Sequence, residues 1–108
     1  MSYSIHVIPS FEKQLKRLSK KYNSLKDEFA EFIDKIEENP FQGTPIANSC
    51  YKIRFSIKSK GKGKSGGARI ITHVVVSQQD VYLLAIYDKS EKDSLSNKEL
   101  KELLSFLT

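Results

Sequence analysis

The spacing of apolar residues changes abruptly along this 108-residue chain, and the change limits the folds that it can adopt. Between Phe11 and Ile36, apolar residues recur every three or four positions, which is the repeat of one helical face. From Tyr51 to Ile57 they recur at every second position, which is the repeat of a strand with one buried face. Helices and strands are thus segregated along the chain. This predicts an α+β domain in which a helical hairpin covers one face of a small, mostly antiparallel sheet.

The predicted elements follow in the order β-αα-βββ-α, and the whole chain is expected to form one domain. Ser10 and Ser24 are the expected N-caps of the first two helices, and Pro40 ends the second because the residue before proline avoids helical geometry. Ser96 and Glu99 have the spacing of a capping box for a C-terminal helix. The expected bounds are a strand at 3–8, helices at about 10–21 and 24–38, a loop at 41–49, and strands at 50–58, 68–76 and 81–88.

Positive charge is concentrated in one segment. Residues 52–69 hold seven Lys or Arg and no Asp or Glu. The rest of the chain has eleven basic and thirteen acidic residues, a net charge of −2, so this segment accounts for the formal charge of +5. Because the apolar residues of the 50–58 strand should face the helices, Lys52, Arg54 and Lys58 are predicted to emerge together on the opposite face.

The connection that follows this strand extends the basic segment. Lys60, Lys62 and Lys64 alternate with glycine and serine, and Arg69 begins the next strand, where it can point back toward Arg54. The glycines do not form a nucleotide-binding loop, because the sequence lacks the GxxxxGK[ST] pattern and joins two strands. Clustered cations repel one another and favour an anion such as a nucleic-acid phosphate. The alternative for the loop lysines is a solvated hairpin loop.

Few residues suit metal or nucleophilic chemistry. His6 and His73 are far apart in sequence without a carboxylate cluster, so no metal or other cofactor is predicted, and both are interpreted as sheet residues. Cys50, the one cysteine, is interpreted as a small buried hydrophobe instead of a nucleophile. A single cysteine suits a reducing compartment. Since there is neither a bilayer-length apolar run nor a secretory signal at the start, the prediction is a cytoplasmic protein without a membrane partner.

A second basic element follows the last predicted strand. Tyr87, Lys89 and Lys92 leave that strand near its end, and they can lie beside Arg69 if the strand pairs with 68–76. Two interpretations of Tyr87 stay open: the ring stacks on a nucleobase, or it packs against the C-terminal helix. The acidic residues nearby are interpreted as caps and surface charges, and they are Asp88, Glu91 and Asp93.

Three stretches, CYKIRF, KGKGKSGGARII and VYLLAIYDKSEKDSLSNKELKELL, resemble the HigB-like branch of the RelE/ParE toxin superfamily. They cover the chain from about Cys50 onward, and the middle stretch is the most specific. The resemblance implies a RelE-like fold and the toxin of a type II toxin–antitoxin system. It also implies a metal-independent, ribosome-dependent mRNA endoribonuclease, in which the ribose 2′-OH attacks the adjacent phosphate and leaves a cyclic phosphate and a 5′-OH. The implied partners are the ribosome, mRNA and a cognate antitoxin, often one with a helix-turn-helix domain.

The resemblance also assigns roles by position. Lys52 and Arg54 match a basic pair on a family strand, Arg69 matches a phosphate-holding arginine, and Lys89 falls in the basic segment after the last strand. The expected catalytic residues are therefore Lys52, Arg54, Arg69 and Lys89. The expected RNA- or ribosome-binding residues are Lys58, Lys60, Lys62, Lys64, Tyr87 and Lys92.

The chain departs from the RelE type near Ser96, where such toxins carry a tyrosine that orients the nucleophile. No tyrosine follows Tyr87, so the general base stays open between Tyr87 and a lysine that loses its proton among other cations. Two other functions also stay open. One is a ParE-like inhibitor of DNA gyrase, and the other is a catalytically degenerate basic protein that binds RNA or an antitoxin.

Overall fold

The structure, a computed structural model, describes residues 2–60 and 67–107. Within these ranges the chain forms three α-helices and five strands, so the predicted α+β class and element order are confirmed, with one short strand added. No helix in this part of the chain has the length and apolar character needed to cross a bilayer. The elements are β1 (Ser4–Val7), α1 (Pro9–Lys21), α2 (Leu25–Glu38), β2 (Thr44–Pro45), β3 (Cys50–Phe55), β4 (Ala68–Val75), β5 (Asp80–Asp88) and α3 (Asn97–Ser105).

The strands form one mixed sheet in the order β1-β5-β4-β3-β2. β1 runs parallel to β5, and the other neighbours are antiparallel. The helical hairpin covers one face, where Phe32 of α2 meets Phe55 of β3 edge to face with ring centres 5.6 Å apart. Arg54 alternates with Phe55 and projects from the other side. We call the side turned away from α1 and α2 the open face.

The core lies between the helical hairpin and the sheet. Phe11 and Leu18 of α1 are completely buried, as are Leu25 and Ile36 of α2. These positions belong to the three- and four-residue repeat that predicted the helices, so periodicity and burial agree. Burying one such side chain stabilises the fold by about 1.5–3 kcal/mol. The sheet contributes Ile53, Phe55, Ile70, Val81, Leu83 and Ile86 to the same core.

The helix starts differ in part from the predicted caps. α1 begins at Pro9 with Ile8 as its N-cap, so Ser10 lies inside the helix and the cap prediction for it is wrong. Proline suits the first helical position because the N–H that it lacks would have no partner there. Ser24 is the N-cap of α2, but its side chain makes no cap hydrogen bond. The capping box between Ser96 and Glu99 is confirmed at the start of α3.

The short strand β2 was not predicted, since residues 41–49 were expected to form only a loop. Thr44 and Pro45 pair with Lys52 and Tyr51 of β3. Gly43 allows this approach: its φ is +89°, and a Cβ added there would lie 2.4 Å from the Lys52 carbonyl oxygen. A side chain at that position would force the loop away from β3.

Candidate functional site

Arg54, Arg69 and Tyr87 form a row across three strands on the open face. Arg54 lies directly opposite Arg69, and Arg69 lies directly opposite Tyr87. Facing residues of antiparallel strands project to the same side, so Arg69 shares the open face with Arg54, as the expected strand positions allowed. Like charges placed directly opposite each other destabilise a sheet. The requirements of folding therefore do not explain this pairing.

Lys52 occupies the neighbouring row of the open face. It lies two residues before Arg54 on β3 and faces Ile71 of β4, which in turn faces Ala85 of β5. Lys52 is half-buried and Arg54 is exposed. The open face thus places cations directly beside apolar surface.

The Arg69 side chain is buried, which the sequence did not indicate. Only 5% of the residue is exposed, and its Nη1 donates a hydrogen bond to the Ala68 carbonyl oxygen at 3.0 Å. A buried guanidinium is held in one orientation, and an incoming phosphate reaches it only when neighbouring side chains move aside. Arg69 is therefore an oriented donor at the floor of the open face, and Arg54 is the solvated one.

Asp88 fixes the turn that follows β5. Its carboxylate is completely buried and accepts hydrogen bonds from the Tyr22 hydroxyl at 2.6 Å and from the Ser90 N–H and hydroxyl at 2.9 and 2.7 Å. The Asp88 carbonyl oxygen accepts the N–H of Lys92 at 3.0 Å. The interpretation of Asp88 as a surface charge is wrong, because the turn ties the end of β5 to the end of α1. This attachment sets the direction in which Lys89 and Lys92 leave the sheet.

Lys89 forms an ion pair with Asp93, four residues further on. The hydrogen bond from Lys89 lowers the pKa of Asp93, and the charges of Lys52 and Arg69 lower it further. The Asp93 carboxylate thus lies among cations from β3, β4 and the turn after β5. The interpretation of Asp93 as a surface charge is confirmed, because 86% of its side chain is exposed. We call Lys52, Arg54, Arg69 and Lys89 the basic cluster.

Lys92 is held in the same manner by Glu99 of α3. The hydrogen bonds from Lys92 and from the Ser96 backbone lower the pKa of Glu99 to about 2. This contact joins the turn after β5 to the first turn of α3. Each predicted functional lysine of this segment therefore has an acidic partner in the structure.

Tyr87 is buried, with 7% of the residue exposed. Burial raises the pKa of its hydroxyl, and the nearby Arg69 opposes the increase. Tyr87 lines a small cavity with Leu95 and Leu100, beside the C-terminal helix. Of the two interpretations of Tyr87, the structure shows the packed one. A ring with so little free surface cannot stack on a base in this conformation, so that prediction requires correction.

Lys58 does not continue the alternation of β3. The strand ends at Phe55, and Lys58–Lys60 form a short 3₁₀ turn. The Lys58 N–H donates to a carboxylate oxygen of Glu28 at 2.9 Å, so the turn is attached to the start of α2. The prediction that Lys58 shares a strand face with Arg54 is therefore wrong. The prediction that Lys60 binds RNA stays untested, and Lys62 and Lys64 lie outside the described residues.

Cys50 and the two histidines lie at the other end of the open face. His6 stacks on Tyr82 with ring centres 4.9 Å apart, and the Cys50 sulfur lies 3.7 Å from Nδ1 of His73. Burial raises the pKa of the Cys50 thiol to about 11, which agrees with a buried hydrophobe and not with a nucleophile. Within residues 2–60 and 67–107, no group of three or more His, Cys, Asp or Glu side chains is arranged to hold a metal ion.

No protein family model matches the sequence. A mutant of the E. coli toxin RelE, solved in the free state, is 14% identical with a TM-score of 0.65, and the match covers 100% of both chains. A chain of the RelBE2 toxin–antitoxin complex from Mycobacterium tuberculosis is 13% identical with a TM-score of 0.61, covering 82% of this chain and 92% of that one. A chain of the archaeal RelE–RelB complex from Pyrococcus horikoshii OT3 is 20% identical with a TM-score of 0.54, covering 85% and 100%. This protein thus has the fold of RelE toxins.

Proposed function

We propose that this protein is the toxin of a toxin–antitoxin pair and that its open face cleaves RNA. The finer assignment is an mRNA endoribonuclease of the HigB-like branch that acts on ribosome-bound message. The observation that carries the proposal is the placement of Arg54 directly opposite Arg69, with Lys52 next to Arg54 on the same face. The repulsion between these cations is relieved when a phosphate lies between them.

Cleavage by this arrangement needs one proton acceptor and one proton donor. The ribose 2′-oxygen attacks the adjacent phosphorus, the bond from phosphorus to the 5′-oxygen breaks, and the products are a cyclic phosphate and a 5′-OH. The proton of the 2′-OH goes to a base, and the leaving 5′-oxygen takes a proton from an acid. Charge accumulates on the phosphate oxygens in the transition state, so fixed cations stabilise it more than they stabilise the bound RNA.

Asp93 and Lys89 suit these two tasks. Lys89 is ion-paired with Asp93 beside the facing arginines, and we assign to it donation of a proton to the leaving 5′-oxygen. The Asp93 carboxylate is exposed, contacts Lys89 and is influenced by the charges of Lys52 and Arg69, and we assign to it acceptance of the 2′-OH proton. A bound phosphate competes with Asp93 for the cations that lower its pKa. RNA binding therefore makes Asp93 a stronger base at the moment when a base is needed.

Arg69 and Arg54 have distinct roles in this proposal. Arg69 is buried and oriented, so it binds a phosphate oxygen and holds it as the charge develops. In other enzymes, removal of one such oriented donor raises the barrier by about 2.7–4 kcal/mol. Arg54 is exposed and attracts the RNA backbone before the substrate is seated. Lys52 is the member of the basic cluster that lies next to the apolar part of the open face, opposite Ile71.

The partner that we propose is an antitoxin. The M. tuberculosis and P. horikoshii structures similar to this chain are complexes of a toxin with its antitoxin. An acidic segment of such a partner, laid over the open face, would neutralise the basic cluster and exclude RNA. The salt dependence of RNA affinity checks this proposal. The affinity of the free protein should decrease steeply with salt, and that of the protein–antitoxin complex should change much less. An unchanged dependence would show that the antitoxin leaves the cluster open.

Cell-free translation of a defined message tests the nuclease. We expect purified protein to cut the message only while ribosomes are engaged and to leave 5′-OH ends, which primer extension and end-labelling detect. Arg54→Gln and Lys89→Gln should each slow cleavage at least tenfold. Lys13→Gln removes the same charge from an exposed position on α1 and should have no effect. If the protein cuts RNA without ribosomes, the proposed ribosome dependence is wrong. If the message stays intact, the proposed nuclease activity is wrong.

A second candidate is a basic protein that binds RNA or an antitoxin and does not cleave RNA. Two observations favour it: Arg69 is buried, and Lys89 and Lys92 are each engaged by a carboxylate. Expression of the chain without a partner separates the two functions. Arrested growth with truncated messages supports the nuclease. Unimpaired growth, together with salt-dependent RNA binding in vitro, supports the binding protein.

A further inference from the structure

The turn after β5 presents Lys89, and a buried contact with α1 holds this turn. We call residues 88–92 the Lys89 turn. Tyr22, the C-cap residue of α1, donates a hydrogen bond from its hydroxyl to the Asp88 carboxylate at 2.6 Å. Asp88 is completely buried and precedes Lys89 in the chain. The end of a helix on one side of the sheet is thus attached to a turn whose lysine belongs to the basic cluster on the other side.

Hydrogen bonds fix the backbone on both sides of Lys89. One carboxylate oxygen of Asp88 accepts the N–H and the hydroxyl of Ser90 at 2.9 and 2.7 Å. The Asp88 carbonyl oxygen accepts the N–H groups of the last two residues of the turn, both at 3.0 Å. The N–H of Lys89 donates to the Gly67 carbonyl oxygen at 3.0 Å, just before β4. The direction of the Lys89 side chain is therefore set by the hydrogen bonds that Asp88 organises.

A turn at the end of a strand does not require a buried charge. An asparagine in place of Asp88 could accept the same hydrogen bonds from Ser90, because asparagine and aspartate both close such turns. Taking an ionised carboxylate out of water is costly unless hydrogen bonds and a cation compensate it. The Tyr22 hydroxyl and the Lys21 ammonium, 3.7 Å from Asp88, provide that compensation. Because a hydrogen bond to an ionised acceptor is roughly twice as strong as a neutral one, the charge holds the turn to α1 more tightly than turn formation alone requires.

A second attachment between α1 and the Lys89 turn lies at the surface. Both terminal nitrogens of Arg17 donate to the Glu91 carboxylate, at 2.9 and 3.4 Å, and this hydrogen bonding lowers the pKa of Glu91. The two side chains are 50% and 39% exposed, and exposed ion pairs usually contribute little to stability. The buried contact of Tyr22 with Asp88 should therefore determine the position of the turn. The Arg17 contact joins the same two elements without burial, so it provides a natural comparison.

The proposed reaction depends on where the amino group of Lys89 lies. Its Nζ contacts Asp93, and 32% of the side chain is exposed. A proton donor has to be within about 2.6–3.2 Å of the atom that accepts the proton. Misplacement by about 1 Å, even when the change is far from the reacting atoms, can slow a reaction about a hundredfold. Since a lysine side chain is flexible, its amino group is well placed only when the turn holds its backbone firmly.

We infer that Tyr22 and Asp88 are positioning residues of the nuclease, and that their contact aims Lys89 at the leaving 5′-oxygen while neither of them touches the RNA. The inference rests on the proposed function, because Lys89 is the proton donor assigned there. The arginines assigned to the phosphate belong to β3 and β4 and not to the Lys89 turn. Loss of the contact should therefore slow the chemical step and leave RNA affinity nearly unchanged.

Three substitutions test the inference. Tyr22→Phe deletes the hydroxyl and keeps the ring, and Arg17→Gln breaks only the exposed attachment. Ile36→Val lowers stability from the buried core of α2 and leaves the Lys89 turn untouched. Urea unfolding verifies that each variant is folded under the assay conditions. Single-turnover cleavage of ribosome-bound message, measured over a range of protein concentrations, gives the maximal rate and the half-saturating concentration.

We expect Tyr22→Phe to lower the maximal rate at least tenfold and to change the half-saturating concentration less than twofold. Arg17→Gln and Ile36→Val should each keep a maximal rate within about threefold of the natural value. If Tyr22→Phe keeps the natural rate, or if Ile36→Val loses as much, the contact contributes only to stability and the inference is wrong.

A double substitution shows whether Tyr22 acts through Lys89. Two residues that act through one group have effects that do not add. Tyr22→Phe should therefore slow cleavage less than twofold when Lys89→Gln is already present. If Tyr22→Phe causes the same loss with and without Lys89→Gln, Tyr22 does not position Lys89.

A measurement without cleavage separates this inference from the proposed nuclease. The probe is a short RNA that is 2′-O-methylated throughout and cannot be cut, added to protein with isotope-labelled lysine. The NMR signal of Lys89 Cε, assigned from Lys89→Gln, should shift on RNA binding in the natural protein and in Arg17→Gln, and less than half as far in Tyr22→Phe. This result supports the positioning role even if the natural protein cuts nothing. An equal shift in Tyr22→Phe, or no shift in the natural protein, overturns the inference whether or not cleavage occurs.

Discussion

Arg54 and Arg69 lie directly opposite each other on antiparallel strands, and both project from the open face, the side of the sheet turned away from α1 and α2. One of them is exposed, whereas the other has only 5% of its surface free. Two arginines in this relationship repel each other in the folded protein and less in the unfolded chain. This repulsion opposes folding, which is common where residues are placed for binding rather than for folding.

Replacing Arg54 by glutamine should stabilise the protein and weaken its binding to RNA. Removal of one of two facing cations relieves a repulsion of about 0.2–1 kcal/mol, so the urea midpoint should increase. Each lost phosphate contact should reduce the slope of log affinity against log salt by about 0.7 for single-stranded RNA. Urea unfolding and anisotropy with labelled RNA measure the two effects. Lys13→Gln is the charge-matched control on α1. If Arg54→Gln lowers stability and leaves RNA affinity unchanged, Arg54 does not belong to the site.

Replacing Asp93 by asparagine should strengthen RNA binding and slow cleavage. The substitution removes a negative charge that competes with phosphate for Lys89, Lys52 and Arg69, and it also removes the proposed proton acceptor. Binding affinity and the single-turnover cleavage rate should therefore change in opposite directions. Asp34→Asn, at an exposed position on α2, controls for the change in net charge. Cleavage at the natural rate by Asp93→Asn would show that another group takes the proton.

Replacing Tyr22 by phenylalanine should destabilise the protein by about 1.5–3 kcal/mol, the usual value for a hydrogen bond to a charged group. The lost bond is the 2.6 Å contact to the buried Asp88 carboxylate. Urea unfolding measures the change, with Tyr82→Phe on the open face as the comparison. Equal effects of the two substitutions would show that the Asp88 contact does not stabilise the turn.

Periodicity predicted most of the fold because it records which residues are buried. Ile53, Phe55 and Ile57 are all buried, and Arg54 between them is exposed, as the alternation indicated. The pairing of Arg54 with Arg69 agrees with the expectation that Arg69, at the start of the next strand, can point back toward the first. These features depend on residues that are near one another in sequence.

The features that the sequence did not predict depend on contacts between distant residues. Asp88 is buried because Tyr22, 66 positions away, reaches it. Lys58 leaves the strand face because its backbone is bound by Glu28, 30 positions away. The location of Asp93 among cations requires the assembled sheet. A charged residue next to a turn looks the same in sequence whether it is solvated or held in a site.

Cys50 should resist alkylation in the folded protein. Burial raises the pKa of its thiol to about 11, so roughly one thiol in a thousand is ionised at pH 8. Iodoacetamide should modify the folded protein at least a hundredfold more slowly than the urea-unfolded protein, as measured by mass spectrometry. The rate in the folded state should continue to increase above pH 9, where a free thiol such as glutathione has levelled off. Similar rates in the two states would show that Cys50 is accessible.

The contact between Glu99 and Lys92 should stabilise the attachment of α3 in a pH-dependent manner. Lys92 lowers the pKa of Glu99 to about 2 in the folded state, whereas an unfolded glutamate titrates near about 4.3. A lowered folded-state pKa stabilises the protein above the unfolded value, and that stabilisation is lost as the pH decreases from about 4.3 toward 2. The difference in urea midpoint between the natural protein and Glu99→Gln should therefore be constant above pH 5 and shrink below it. Glu102 is exposed and lies one turn further along α3, so the midpoint difference for Glu102→Gln should depend less on pH. If the difference for Glu99→Gln instead grows toward low pH, the assigned contact is wrong.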